Sequence, residues 1–308
     1  RKHTLWTSTL DGKSRELAIL CAASGEGRRP LASEWLVAAP VNERTTIPGE
    51  SYRLAVCKRL DIPVCARGDQ CRVPQGVYRR GHRRDPREPR GRACGAMLMP
   101  HADHAQACAK HARNLRHDGV ADLCAAIYQE AGHAAHRETD VPGVQSTIKR
   151  EPIRADVLVR ERAPGSWTCA EIKVRHCFDS DGELAISRAT DLDAMLRAEE
   201  AEVHRHYRPV RVHPWVLTSL GRPGEGMCAD IRRLARRRMQ LLDVRNAVSL
   251  PSVRQYLLHR WRAELSCALV LGDADVYLAA LRGTPPRGGE PPSVETQIYD
   301  LQSLRATF

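Results

Sequence analysis

A chain of 308 residues is long enough for two domains, or for one domain with long appendages. Its 42% hydrophobic and 28% charged residues argue against disorder along the whole chain, and no apolar run approaches the ~20 residues that a membrane-spanning helix needs. Lys and Arg number 48 against 37 Asp and Glu, and the net charge of +11 favours a polyanionic partner, either nucleic acid or an acidic membrane surface.

The chain begins with Arg1 and carries no apolar stretch like a secretory signal, so we expect a fragment or a processed piece of a longer protein. Eleven cysteines, an odd number, are scattered from Cys21 to Cys267 without a repeating frame. We therefore expect reduced thiols and one metal site rather than a disulfide scaffold.

The first 70 residues predict a helical N-terminal segment, with two short amphipathic helices between residues 31 and 60. Residues 72–92 have a different composition, because eight arginines face only two acidic residues among interspersed Pro and Gly. We interpret 72–92 as a basic, loop-like insertion within a segment at 71–111.

From residue 112 the hydrophobic periodicity becomes regular and predicts the element order α-β-β-β-α-β. The predicted elements are a helix over 114–131, extended stretches over 133–141, 154–160 and 168–175, a helix over 187–206 and an extended run over 210–218. This order predicts a mixed α/β domain over 112–245 with a central sheet flanked by helices. An Arg-rich helix over 229–242 closes it, and a long helix over 252–281 with a Pro/Gly-rich tail forms a C-terminal segment, 246–308.

Charged residues interrupt two of the apolar strands. Asp156 lies in the second strand, while Glu171 and Lys173 lie in the third and share one face because side chains alternate along a strand. Burying such charges is costly unless they are paired or bind a metal, and two carboxylates are the hard oxygen ligands that Mg²⁺ prefers. We expect Asp156 and Glu171 to hold catalytic Mg²⁺ and Lys173 to position a water, with Glu138 as an additional acid. The alternative is that these strand positions face solvent.

A second cluster precedes the helix at 114. Cys94, His104 and Cys108 have a spacing that one helical turn or a tight knuckle can bring to a single ion. We predict a structural Zn²⁺ with Cys71 as the fourth ligand; the open alternatives for that position are Cys65, His101 and His111. A polar, His-rich loop with unpaired thiols is the competing interpretation.

The strand motif resembles the restriction-endonuclease-like PD-(D/E)-x-K superfamily. Arg154-Ala155-Asp156 matches the first half-motif, with Ala155 where Pro is usual, and Glu171-Ile172-Lys173 matches the second. This resemblance implies a restriction-endonuclease-like α-β-β-β-α-β core and metal-assisted hydrolysis of phosphodiester bonds.

The order of the motifs is similar to the C-terminal region of LINE-type (non-LTR) retrotransposon polyproteins, in which a restriction-like endonuclease follows a zinc knuckle. The matching segments cover most of 31–282: Glu34-Trp35-Leu36, Cys94-Gly95, Asp103-His104-x3-Cys108, Arg116-His117-Asp118, His213-Pro214-Trp215-Val216 and Arg262-Ala263-Glu264-Leu265-Ser266. The resemblance implies a nuclease that nicks target DNA, a reverse transcriptase upstream in the full polyprotein, contact with element RNA and a nuclear location. It also leads us to expect nucleic-acid contacts at Arg116 and His117. Arg92 stands where family knuckles place a second, nearby Cys.

The basic helix favours the same class of partner. Its clustered arginines would neutralise phosphates and give affinity that is independent of sequence; the four assigned to DNA are Arg232, Arg233, Arg236 and Arg237. A solvated helix face is the alternative. We therefore expect a Mg²⁺-dependent DNA endonuclease, and as a second hypothesis a catalytically inactive, zinc-containing module that binds nucleic acid. A host-derived structural protein is a third.

Overall fold

The computed structural model describes 31–60, 62–65, 68–73, 93–98, 100–108, 112–145, 152–161, 165–178, 192–208, 210–242 and 250–282. Most of the predicted basic insertion, His111, residues 187–191 of the predicted helix and the predicted tail lie outside the described residues. Every statement below concerns the described parts of the chain.

Short helices make up the described N-terminal part. A 3-10 helix spans Leu31–Leu36, and the helix α1 spans Gly49–Arg59 directly after Pro48, whose fixed φ suits a helix start. A third short helix, α2, spans Asp103–Ala107. The 3-10 helix and α1 lie within residues 31–60, where the sequence predicts two short helices.

The predicted order α-β-β-β-α-β is present. Its elements are α3 (Ala112–Glu130), β1 (Ala134–Gln145), β2 (Pro152–Arg160), β3 (Trp167–Arg175), α4 (Leu192–His206) and β4 (Arg211–Thr218). The helices α5 (Glu225–Leu241) and α6 (Leu250–Arg282) follow. Gly132 ends α3 in the left-handed region at φ 76°, where a side chain would also collide with Leu241.

The four strands form an open mixed sheet in the order β1-β2-β3-β4. The first three strands are antiparallel neighbours, and β4 runs parallel to β3 because α4 provides the crossover. One face, with Val157, Ile172 and Trp215, packs on α3, α5 and α6. The other face, with Leu158 and Cys169, packs against α4 and the residue after it, Tyr207. The chain therefore has a mixed α/β fold with helices on both faces of the sheet.

The 33-residue helix α6 joins two hydrophobic cores. Its first half, with Leu257, Trp261 and Leu265, belongs to the core beneath the sheet. Its second half, including Val276 and Tyr277, packs on the segment that carries the predicted zinc ligands. No described helix, α6 included, combines the length and the apolar character of a membrane span.

Candidate functional site

The ladder between β2 and β3 stops at the predicted acidic residues. The two strands pair from Arg160 with Trp167 to Val157 with Ala170, and the next pair in that register would be Asp156 with Glu171. The Ile172 N–H instead donates to Asp156 Oδ2 over 2.9 Å. The carboxylate of Asp156 thus enters the sheet as a hydrogen-bond acceptor, which explains how an apolar strand tolerates a carboxylate that is only 8% exposed.

Glu171 and Lys173 project to the same side of β3, as the alternation predicted. Lys173 Nζ lies 2.7 Å from Glu171 Oε1, and the lysine side chain is 41% exposed. Tyr207, after the end of α4, donates its hydroxyl to Glu171 Oε2 and lies 3.0 Å from the carbonyl of Arg154. Sequence reasoning missed Tyr207, because nothing in its local sequence connects it with a strand 36 residues earlier.

The two carboxyl groups differ in their affinity for a proton. Burial alone would raise the pKa of Asp156, but hydrogen bonds from His117, the Ile172 N–H and Glu171 hold it at about 2. Burial raises the pKa of Glu171, and the charge on Asp156 raises it further, against the opposing effect of Lys173. Each carboxyl group affects the pKa of the other, and Lys173 contacts Glu171, so the structure brings the three predicted residues near one another.

His117 and Arg116, the two residues expected to contact nucleic acid, both have protein partners, and the contact at His117 stays a prediction. His117 Nε2 lies 3.0 Å from Asp156 Oδ2, and its Nδ1 lies 3.0 Å from Asp118 Oδ1, so the imidazole bridges two carboxylates. Arg116 is 1% exposed and donates to Gln106 and, over 2.9 Å, to Asp273 Oδ1. A guanidinium enclosed in this way is not presented to a phosphate backbone, so the expected nucleic-acid contact at Arg116 is replaced by a structural role.

Glu138 lies on β1 opposite Asp156, between the register pairs Arg137–Val157 and Thr139–Ala155. Its φ of 50° is in the left-handed region, which costs a non-glycine residue about 1–3 kcal/mol and is often found near functional sites. Its carboxylate accepts from Arg154 over 2.9 Å. A catalytic contribution from Glu138 stays a prediction.

A Cys3His cluster lies away from the sheet. The ligand atoms of Cys71, Cys94, His104 and Cys108 all fall within 4.8 Å of one another, which is close enough to hold a metal such as zinc. Cys71 Sγ is 3.8 Å from Cys108 Sγ, and Cys94 Sγ is 3.3 Å from His104 Nε2. The group contains the predicted fourth ligand, whereas the described alternatives Cys65 and His101 are not part of it.

Local backbone pairing explains how residues 23 positions apart meet. The Cys71 N–H donates to the Ala96 carbonyl over 2.8 Å, and the Cys94 N–H donates to the Val73 carbonyl over 2.8 Å. The two ends of the basic insertion therefore lie side by side, so its length does not separate Cys71 from Cys94. His104 and Cys108 are one turn apart on α2 and its C-terminal cap.

Two thiols of this cluster, Cys71 and Cys108, differ in pKa. The hydrogen bond between Cys71 and Cys108 lowers the pKa of Cys71 to about 6, although burial opposes that change. The same hydrogen bond and burial raise the pKa of Cys108. Thiolates are the form that binds zinc, and one is thus available near neutral pH before a metal arrives.

The four arginines of α5 that the sequence assigned to DNA divide into two pairs. Arg232 and Arg236 are exposed, whereas Arg233 donates to Asp230 over 2.8 Å and Arg237 donates to the Ala131 carbonyl over 3.0 Å at the end of α3. The first pair is available to a polyanion. In the second pair, Arg237 ties α5 to the end of α3, while Arg233 pairs with Asp230 on α5 itself and contacts the Tyr128 hydroxyl on α3 over 3.5 Å.

Neither the protein-family models nor the curated proteins compared with the chain include a match. A function must therefore be argued from the chemistry of the sites themselves.

Proposed function

We propose that the protein is a Mg²⁺-dependent DNA endonuclease with a restriction-endonuclease-like PD-(D/E)-x-K core. The observation that supports this most is the meeting of Asp156, Glu171 and Lys173 where the β2–β3 ladder ends. Two carboxylates and an ammonium at one partly open site suit the hydrolysis of a phosphodiester. In that reaction a bound cation acts together with a positioned base or proton donor.

The carboxylates fit Mg²⁺ by their chemistry. Asp156 and Glu171 offer hard oxygen donors. Burial and the charge on Asp156 raise the pKa of Glu171, so a divalent cation held by both carboxylates would relieve an unfavourable concentration of negative charge. Mg²⁺ is commonly held by one or two carboxylates, which leaves other positions for water and substrate phosphate. When bound, the ion would polarise the phosphate and lower the pKa of a water.

The surrounding side chains would orient the two carboxylates and assist the reaction. His117 and the Ile172 N–H fix Asp156 Oδ2, and Tyr207 fixes Glu171 Oε2, so both carboxylates are oriented before substrate arrives. Lys173 has its ammonium against Glu171 Oε1 and its side chain partly in solvent. From there it can orient a water or offset the negative charge that develops on the phosphate.

The substrate proposal is DNA. The exposed arginines Arg232 and Arg236 and the net charge of +11 favour a phosphate backbone as the partner. The resemblance to LINE-type retrotransposon polyproteins specifies this further as nicking of target DNA in the nucleus, next to a reverse transcriptase and element RNA. The Cys3His cluster would hold a structural zinc beside the nuclease core.

Incubation of the purified chain with supercoiled plasmid tests the proposal. Nicked plasmid should accumulate with Mg²⁺ and not when EDTA removes it, while filter binding reports DNA affinity in parallel. Binding without nicking over a range of Mg²⁺ and Mn²⁺ concentrations contradicts the endonuclease.

DNA binding without nicking would indicate an inactive, zinc-containing module that binds nucleic acid. One observation favours it: both carboxylates already have protein partners and are 8% and 7% exposed, so the site is satisfied without a cation. The plasmid assay separates the two functions, because only the endonuclease changes plasmid topology.

A further inference from the structure

Two buried contacts join the Cys3His segment to the α/β core. Gln106 follows the ligand His104 by two residues on α2, and its Oε1 accepts a hydrogen bond from Arg116. Asp103, directly before that ligand, has Oδ1 3.2 Å from Nε2 of His176, the residue after β3. A helix of five residues has too few internal hydrogen bonds to be stable alone, so these contacts and the metal cluster determine where α2 lies.

Arg116 receives its position from two further elements, α6 and β3. Besides Gln106, its guanidinium donates to Asp273 on α6 over 2.9 Å and to the Val174 carbonyl on β3 over 3.4 Å. A Cβ at position 272 would collide with the Cα of Arg116, so Gly272 allows α6 to approach the start of α3 closely. These contacts fix the first turns of α3 against α2, α6 and β3.

The next residue on α3 is His117, whose Nε2 contacts Asp156 Oδ2 over 3.0 Å. The carbonyl that Arg116 holds belongs to Val174, adjacent to Lys173. We propose that Arg116 is a positioning residue through which the Cys3His segment sets the places of His117 and Lys173 relative to Asp156 and Glu171. This proposal rests on the proposed endonuclease function and adds that the metal-binding segment maintains the geometry of cleavage.

Gln106 permits a sharp test of this path. Its buried Nε2 has no hydrogen-bond partner among the described residues, so only Oε1 contributes to the contact with Arg116. Gln106→Glu keeps an acceptor for the guanidinium, whereas Gln106→Leu removes it at similar volume. The matched control is Tyr128→Phe. Tyr128 lies on α3 ~18 Å beyond Arg116 along the helix axis, and its replacement deletes a buried 2.5 Å hydrogen bond to Asp230 on α5.

The four chains are compared by zinc content, thermal midpoint, DNA affinity and single-turnover cleavage with Mg²⁺. Gln106→Leu should keep one zinc and its DNA affinity but cleave on the order of tenfold more slowly, because small misplacements of catalytic groups reduce rates steeply. Gln106→Glu and Tyr128→Phe should cleave at the wild-type rate, the latter despite a lowered midpoint. The proposal is overturned if zinc-loaded Gln106→Leu cleaves like wild type, or if either other variant is equally slow. If Gln106→Leu loses zinc, Arg116→Lys takes its place with the same expectation.

A spectroscopic measurement keeps this test independent of cleavage. In protein labelled with ¹⁵N-histidine, the His117 signals are assigned by their loss in His117→Gln. They should move in Gln106→Leu and stay in place in Gln106→Glu and Tyr128→Phe. If the wild-type protein does not cut DNA, the endonuclease proposal is refuted, and the histidine signals still test whether Arg116 positions His117. Unmoved His117 signals in Gln106→Leu refute the positioning role of Arg116.

Discussion

Replacing Asp273 by alanine should destabilise the protein more than an ordinary substitution. Asp273 is the shared counterion of two buried cations, since its Oδ1 lies 2.9 Å from Arg116 and its Oδ2 contacts Lys58. The side chains of Arg116 and Asp273 are 2% and 6% exposed, and that of Lys58 is 12% exposed. Burial would raise the pKa of Asp273, but the charges of Lys58 and Arg116 lower it below its ordinary value.

Removing one member of a buried ion pair typically costs about 3–5 kcal/mol, because the remaining charge stays desolvated and unpaired. At about 2 °C per kcal/mol for a chain of this size, the thermal midpoint of Asp273→Ala should fall by about 6–10 °C. Burial already lowers the pKa of Lys58, and Asp273 opposes that effect in the wild type. In Asp273→Ala the Lys58 ammonium should therefore lose its proton as the pH rises. The deficit in midpoint should therefore shrink at alkaline pH.

Thermal unfolding followed by circular dichroism measures this effect, with Asp275→Ala as the control two residues along α6. Burial raises the pKa of Asp275 to about 6, so its ionised form already disfavours the fold at neutral pH. Its removal should leave the midpoint unchanged or slightly higher. Equal shifts in the two variants would refute the assignment of Asp273 as the counterion of a buried cluster.

Four other variants test the remaining sites. Glu171→Gln should abolish cleavage and raise the thermal midpoint at pH 7 by roughly 2 °C, because a carboxyl with a raised pKa destabilises the fold as the pH rises through that pKa. Emission spectroscopy should find one zinc per chain in wild type and none in Cys108→Ala; zinc retained by the variant at full stoichiometry contradicts the cluster. Replacing Arg232 and Arg236 together by Gln should flatten the slope of log DNA affinity against log salt by about 1.8 units and leave the thermal midpoint unchanged. Arg233→Gln should instead lower the thermal midpoint, because Arg233 pairs with Asp230. A lowered midpoint in the double variant and a flattened slope in Arg233→Gln would contradict these assignments.

Local signals were sufficient for the order of the elements. The apolar runs of β2 and β3 and the Gly132 stop after α3 are short-range features, and each lies within a few residues of its predicted limits. Alternation along β3 also placed Glu171 and Lys173 on one side correctly, since that periodicity follows from strand geometry alone.

Other side-chain roles depend on long-range packing, which the local sequence does not reveal. An arginine at the start of a helix is usually exposed, but Arg116 is enclosed by Asp273, which lies 157 positions away, and this is possible only because Gly272 lets α6 come close. The role of Tyr207 depends likewise on a contact across 36 positions. Of the arginines on α5, only the folded structure distinguishes Arg237, which donates to the Ala131 carbonyl 106 positions away, from the exposed Arg232 and Arg236.

The single-turnover rate of DNA cleavage in Asp156→Ala tests the central claim most directly. The arginines proposed to contact DNA lie at other positions, so the variant should bind DNA with wild-type affinity at matched salt. If Asp156 holds the catalytic cation, cleavage in the presence of Mg²⁺ should be undetectable. Cleavage by Asp156→Ala at the wild-type rate would contradict a nuclease centre at the end of the β2–β3 ladder.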